Sequence, residues 1–200
     1  MVISMKVLAI NGSARKDGNT AILINTVFEE LHQAGIETEM VQLSGMFIEP
    51  CKACWACGGR KNCVHGKDLF QEIFEKMTRA DGIILGSPVY TANISANMQA
   101  FLERASVVTD MNRDAALFRH KVGAAVTAAR RGGALNTLDA MYHFFMLQNM
   151  FVVGSSYWAM AYGQMPGDVQ KDEEGLDTMR NLGRNMVYLL KALEERKDKE

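Results

Sequence analysis

Short apolar runs alternate along this chain with segments whose apolar residues recur every three or four positions. Val7-Leu8-Ala9-Ile10 is the first run, and Asn11-Gly12 stops it. From Ala21 to Ala34 the spacing is helical: Leu23, Val27 and Leu31 share a face, Ile24 and Phe28 flank it, and Gly35 follows as a C-terminal stop. Glu37 to Leu43 reads as a second strand. Leu69 to Arg79 is an amphipathic helix with Leu69, Ile73, Phe74 and Met77 turned inward. Ile83 to Gly86 is a third strand, Ser95 to Val107 a helix, Val122 to Thr127 a fourth strand and Ala134 to about Leu147 a helix. Phe151 to Val153 makes a fifth strand, and Leu176 to Leu193 a closing helix. The charged end, Glu194 to Glu200, reads as a frayed tail.

Continuous apolar strands alternating with helices predict a parallel sheet covered on both faces. Right-handed crossovers reduce the topology to a doubly wound sheet, and five strands favour the flavodoxin-like order 2-1-3-4-5, a three-layer α/β sandwich. Ligands bind such sheets at the carboxyl ends of the strands. The loops after strands one, three and four should therefore build one site. A cysteine-rich loop at about 48–66 follows strand two and is expected on the same rim.

Two hundred residues suit a single domain, 1–200, and 48% hydrophobic residues are ordinary for a globular chain. A net charge of -1 gives no electrostatic reason to expect nucleic acid or an anionic membrane. No apolar run reaches the length of a bilayer span, and the first residues lack the pattern of a signal peptide, so a cytoplasmic, reducing location is expected. Met77, Met141, Met146 and Met150, among the 14 methionines, read as adaptable core packing.

The first strand ends in a polar turn, Asn11 to Thr20, before a helix begins. Such a turn aims unpaired backbone N–H groups and a positive dipole end at one point, which suits an anion. Ser13, Asn19 and Thr20 add donors and Arg15 adds charge, as a terminal phosphate monoester such as that of FMN requires. Neither a G-K-[ST] ending nor G-x-G-x-x-G is present. The plainer alternative is a turn in which Asn19 or Thr20 caps the helix. After strand three, Pro88 stiffens an exit where the backbone of Val89 and Tyr90 could meet the edge of a flat ring and Tyr90 could lie along it; partial burial of Tyr90 is the alternative. After strand four, Ala129 and the Gly132-Gly133 pair allow close backbone approach. Arg130 and Arg131 either balance a reduced flavin or a dinucleotide phosphate, or form a solvated pair.

The chain's four cysteines, Cys51, Cys54, Cys57 and Cys63, crowd into C-x2-C-x2-C-x5-C. Clustered thiolates hold iron–sulfur clusters or zinc. The spacing resembles a ferredoxin run without its proline, and it lacks the two separated pairs of a zinc ribbon. A cluster, zinc and unligated reduced thiols all remain open, and His65 lies near enough in sequence for a mixed ligand set. Trp55, inside the run, shields a cluster, stacks near a flavin or simply packs against the loop.

Taken together, G-S-A-R-K-D-G-N-T at 12–20, G-S-P-V-Y at 86–90, A-R-R-G-G at 129–133 and the stretch at 166–176 resemble the NADPH-dependent FMN reductase family. With the cysteine run, the chain is most similar to the iron–sulfur flavoproteins within it. The resemblance implies FMN phosphate on Ser13, Arg15, Asn19 and Thr20. It implies isoalloxazine contacts from Pro88, Val89, Tyr90, Ala129, Arg130, Arg131 and Gly132, and a 4Fe–4S cluster on Cys51, Cys54, Cys57 and Cys63. It further implies a redox enzyme fed by a ferredoxin-like or small-molecule donor such as NAD(P)H, assembled as a homodimer or homotetramer. Two alternatives accompany it: an NAD(P)H-dependent FMN or quinone reductase without a cluster, and a non-catalytic binding protein with a thiol or zinc loop. No acid–base residue is expected to be needed, because the cofactor carries the chemistry.

Overall fold

The computed structural model describes residues 5–197. Strands β1 (Lys6–Asn11), β2 (Glu37–Gln42), β3 (Gly82–Pro88), β4 (Val122–Ala129) and β5 (Phe151–Val152) pair in parallel in the order β2-β1-β3-β4-β5, as the alternation predicts. Successive side chains of a strand point to opposite faces. Leu8, Ile10, Ile83 and Leu85 therefore join one core, with α2 (Phe70–Arg79), α3 (Ala96–Asp110) and α4 (Ala134–Leu147). Val7, Ala9, Ile84 and Val126 join the other, with α1 (Asn19–Gln33) and α5 (Glu173–Lys197). Helices α1 and α5 approach closely at Gly183, where a Cβ would lie 2.8 Å from the Glu30 Cβ and 2.9 Å from the Val27 carbonyl oxygen.

The fifth sheet position departs from expectation. It is shared by two short segments: β5 beside the start of β4, and β6 (Met160–Tyr162) beside its end at Thr127–Ala129. Residues 153–159 loop out between them. That loop is fastened to α5: Ser155 Oγ donates to the Thr178 carbonyl (2.6 Å) and Asn185 Nδ2 to that of Gly154 (2.9 Å). Three residues of strand carry too little periodicity to be read from sequence.

Two assignments of buried residues are corrected. Met146 is 69% exposed, because Met141, Phe144 and Phe145 occupy the inward face of α4. Leu69 stands outside α2, and Phe70 fills its inward place. Helix α5 continues through the charged end to Lys197; the remainder of that tail, 198–200, and the first residues, 1–4, lie outside the described residues. Among the described residues no helix is long and apolar enough to cross a membrane.

Candidate functional site

At the carboxyl edge, β1 runs into a turn fastened to its neighbours. Gly12 N–H donates to the Gly86 carbonyl (2.7 Å), and Gln42 Nε2 donates to that of Ser13 (3.2 Å). Ser13 is buried, and its Oγ accepts from Arg15 N–H (3.1 Å). Helix α1 begins at Asn19 behind Gly18, and no side chain caps it. Neither Asn19 nor Thr20 serves as the cap. The hydroxyl of Thr20 is buried without a hydrogen-bond partner. An uncapped positive helix end beside an orphaned buried hydroxyl is costly to leave unmade and matches a phosphate. Arg15 is exposed at the same turn.

The side chain of Asn19 is engaged elsewhere. Its Nδ2 donates to the Met165 carbonyl (3.0 Å) and its Oδ1 accepts from Gly167 N–H (2.8 Å). This draws the loop after β6 against the start of α1. Gly163 at the loop's base donates to the Ala129 carbonyl (2.9 Å), so a fourth segment joins the rim. Sequence reasoning cited 166–176 only as part of a resemblance. The turn pair Pro166-Gly167 was the signal that could have marked a rim loop.

After β3, Val89 N–H donates to the Ala128 carbonyl (3.0 Å), and Tyr90 and Asn93 exchange backbone bonds of 2.9 and 3.0 Å. The N–H groups expected to meet a ring edge are thus bonded within the protein. The two residues of the turn, Thr91 and Ala92, have φ of +50° and +55°. Left-handed backbone is unfavourable for a β-branched residue, and such strain persists where the surroundings enforce it. This turn lies directly against Gly133, where a Cβ would come within 2.8 Å of Ala92 Cα and 3.0 Å of Val89 Cγ1. The loops after β3 and β4 therefore meet, as the sequence implied. Tyr90 is 45% exposed, Arg130, Arg131 and Gly132 are exposed, and Ala129 is buried.

The four cysteines line a single pocket with Trp55, His65, Arg104, Val107 and Val108. Burial pushes the Cys57 thiol above its ordinary value, and the other three cysteines add to the effect. Ala53 N–H points to Cys51 Sγ (3.4 Å), His65 N–H to Cys63 Sγ (3.5 Å), and His65 Nε2 lies 3.4 Å from Cys54 Sγ. Ala53 and Trp55 are left-handed, with φ of +49° and +59°, which curls the loop around the sulfurs. Trp55 is 57% exposed at the pocket.

Arg104 was not anticipated, since a lone Arg in a helical pattern reads as surface. It is 2% exposed. Burial opposes its charge, but Asp68 and the Cys63 sulfur outweigh that and hold its pKa above the ordinary value. Its Nε is buried and has no hydrogen-bond partner. A cation with a spare donor among four thiols fits an anionic, thiolate-held group.

The expectation that the cysteines open on the rim is corrected. Their loop runs down the outer flank of α3. Near the rim, Asn97 Nδ2 donates to the Met46 carbonyl (2.8 Å); at the far end, Asn112 Nδ2 donates to that of Cys57 (2.9 Å). At about 1.5 Å per residue, Arg104 and Val108 lie about 12 to 18 Å along the helix from Ala96. A loop's starting point does not fix where a long loop goes.

The profile of the NADPH-dependent FMN reductase family matches residues 5–164. The chain belongs to this family. An iron–sulfur flavoprotein of Methanocaldococcus jannaschii is 37% identical over 198 residues, 96% of this chain and 100% of that one. One of Methanosarcina thermophila is 32% identical, covering 98% and 100%. The crystal structure of a flavodoxin, a WrbA-like protein from Agrobacterium tumefaciens, superposes with a TM-score of 0.64 at 18% identity, over 94% of this chain and 98% of that chain. As a member of the FMN reductase family, this chain is a flavodoxin-like, FMN-binding redox flavoprotein, homologous to iron–sulfur flavoproteins.

Proposed function

We propose that the chain is an FMN-dependent oxidoreductase that holds a 4Fe–4S cluster on Cys51, Cys54, Cys57 and Cys63. It moves electrons between a reduced donor, a ferredoxin-like protein or NAD(P)H, and a separate acceptor. The observation that carries the reading is the gathering of all four thiols around one pocket that also contains a buried guanidinium.

When bound, FMN supplies one- and two-electron chemistry and the cluster one-electron chemistry. The protein's own part is binding and orientation. The start of α1, Thr20, Ser13 and Arg15 receive the phosphate. Tyr90, Pro88, Val89 and residues 129–132 bound the ring. Asn19 holds the 163–167 loop against the turn. Relatives named iron–sulfur flavoproteins support the cluster. A homodimer or homotetramer is the assembly that the family resemblance implies.

The test is an absorbance spectrum of anaerobically purified protein with iron and acid-labile sulfide assayed on the same sample. Flavin bands with a broad visible shoulder and matching iron and sulfide are expected. Flavin without iron would leave an NAD(P)H-dependent FMN or quinone reductase. Cys54 is exposed, so Cys54→Ser leaves the core intact; it should abolish the shoulder while FMN stays bound. Loss of both would make the loop a folding element.

A further inference from the structure

The cysteine segment is closed at both ends by one side chain. Arg104 Nη1 donates to the Glu49 carbonyl (3.1 Å), just before Cys51, and Nη2 donates to the His65 carbonyl (2.7 Å), just after Cys63. Nη1 also meets Asp68 Oδ2 at 2.5 Å. Asp68 in turn accepts from Glu49 N–H (2.8 Å) and Phe70 N–H (3.3 Å), so it holds the same end of the loop and the start of α2. Both side chains of the pair are almost fully buried. The guanidinium carbon sits over the Phe70 ring, 4.2 Å from its centroid. Both terminal nitrogens are engaged in this way, and Nε is buried without a hydrogen-bond partner.

We propose that the Arg104–Asp68 pair is a positioning device for the cluster ligands, and that Arg104 Nε, buried and unpartnered in the wall of the cysteine pocket, is a donor to the group the thiolates hold. All four cysteines lie between Glu49 and His65, so a guanidinium that holds both carbonyls fixes the span across which the sulfurs must reach. A neutral hydrophobic wall would pack as well, since replacing a buried ion pair by apolar residues is often neutral for stability. The fork geometry of arginine gives what lysine lacks: two fixed carbonyl bonds and a third donor directed elsewhere. A directed donor to the sulfurs favours the more negative, reduced state of whatever they hold, and a lysine that keeps the charge does not supply that Nε donor.

This inference rests on the cluster reading, and three proteins separate the two. Arg104→Lys keeps a charge without the fork. Asp68→Leu/Arg104→Met removes both charges and avoids an unpaired buried ion. Wild type is the third. Each is purified anaerobically and checked for bound FMN as the sign of an intact fold. The double variant should lose iron to a chelator about 10–100-fold faster than wild type. Arg104→Lys should still bind iron and sulfide, losing them to the chelator faster than wild type but more slowly than the double variant, and should show a lower cluster midpoint potential and an altered reduced-state EPR signal, which a purely structural role would not move. Iron loss at the wild-type rate in the double variant overturns the positioning role; an unchanged potential in Arg104→Lys overturns the Nε role. Wild type without iron or sulfide after reconstitution removes the cluster reading and the Nε role with it. The positioning role is then read from alkylation of buried Cys57 in metal-free protein. That reaction should be at least about ten-fold faster in the double variant, and equal rates overturn it.

Discussion

At the rim, the groups that suit a phosphate are main-chain N–H groups of the first turn of α1 and a hydroxyl one residue inside that helix. In the cysteine pocket, the ties are side chains that reach across 36, 39 and 55 residues of sequence: Arg104 to Asp68, to His65 and to Glu49. The rim is a by-product of a strand meeting a helix, and any residue without a clash would leave most of it standing. The pocket depends on a few mutually paired side chains held in a medium where leaving one charge unpaired is expensive. Single substitutions should therefore act broadly on the pocket and narrowly on the rim.

The largest expected effect is at the pocket. Asp68→Asn leaves the Arg104 guanidinium buried without its carboxylate and should lower the unfolding free energy by about 3–5 kcal/mol in urea denaturation. A loss below about 1 kcal/mol would mean that the pair is effectively solvated and would erase the contrast. The same group gives an acid dependence. Burial pushes the Asp68 carboxyl up, but bonds from Arg104 and from the N–H groups of Glu49 and Phe70 outweigh it and hold it below its ordinary 3.8. Its stabilisation is therefore complete above that value and is lost as the pH falls through Asp68's own lower pKa. The urea midpoint of wild type should fall over that interval, and Asp68→Asn should flatten the fall.

Next in size is Gly133→Ala, which forces a side chain onto left-handed backbone and against Ala92 Cα at 2.8 Å. It should cost about 1–3 kcal/mol and weaken FMN binding, while the alkylation rates of the cysteines stay unchanged. A change in those rates would show that the two regions are coupled. The smallest effect sharpens the comparison most. Thr20→Val removes a hydroxyl that has no partner in the protein, so the FMN-free stability should move by less than about 0.5 kcal/mol. FMN affinity should drop by about three- to ten-fold, the net worth of one hydrogen bond. Equal affinity in a titration of apoprotein with FMN would place the phosphate elsewhere.

Much of the fold could be read locally. Val7 to Ile10 and Ile83 to Gly86 are apolar runs with turn residues at their ends, and Leu23, Val27 and Leu31 mark a helix face; each is buried as the pattern implies. Met146 and Leu69 failed because each was one position away from an inward neighbour, a difference that hydropathy does not resolve. Asn19 was read as a ligand donor from its place in a polar turn, and its amide is instead bonded to a loop 146 residues further along.

By itself the sequence determined the parallel sheet, its order, the polar turn at the switch-point strand and the clustering of four thiols, because these depend on residue type and spacing over short stretches. Only the tertiary structure decided that the fifth position is split, that the cysteine loop descends the flank of α3 instead of opening on the rim, and that Arg104 is buried at its centre. Those outcomes arise from bonds between distant segments in a desolvated interior. Their strength depends on which groups are left without water, and that is settled when the chain closes upon itself.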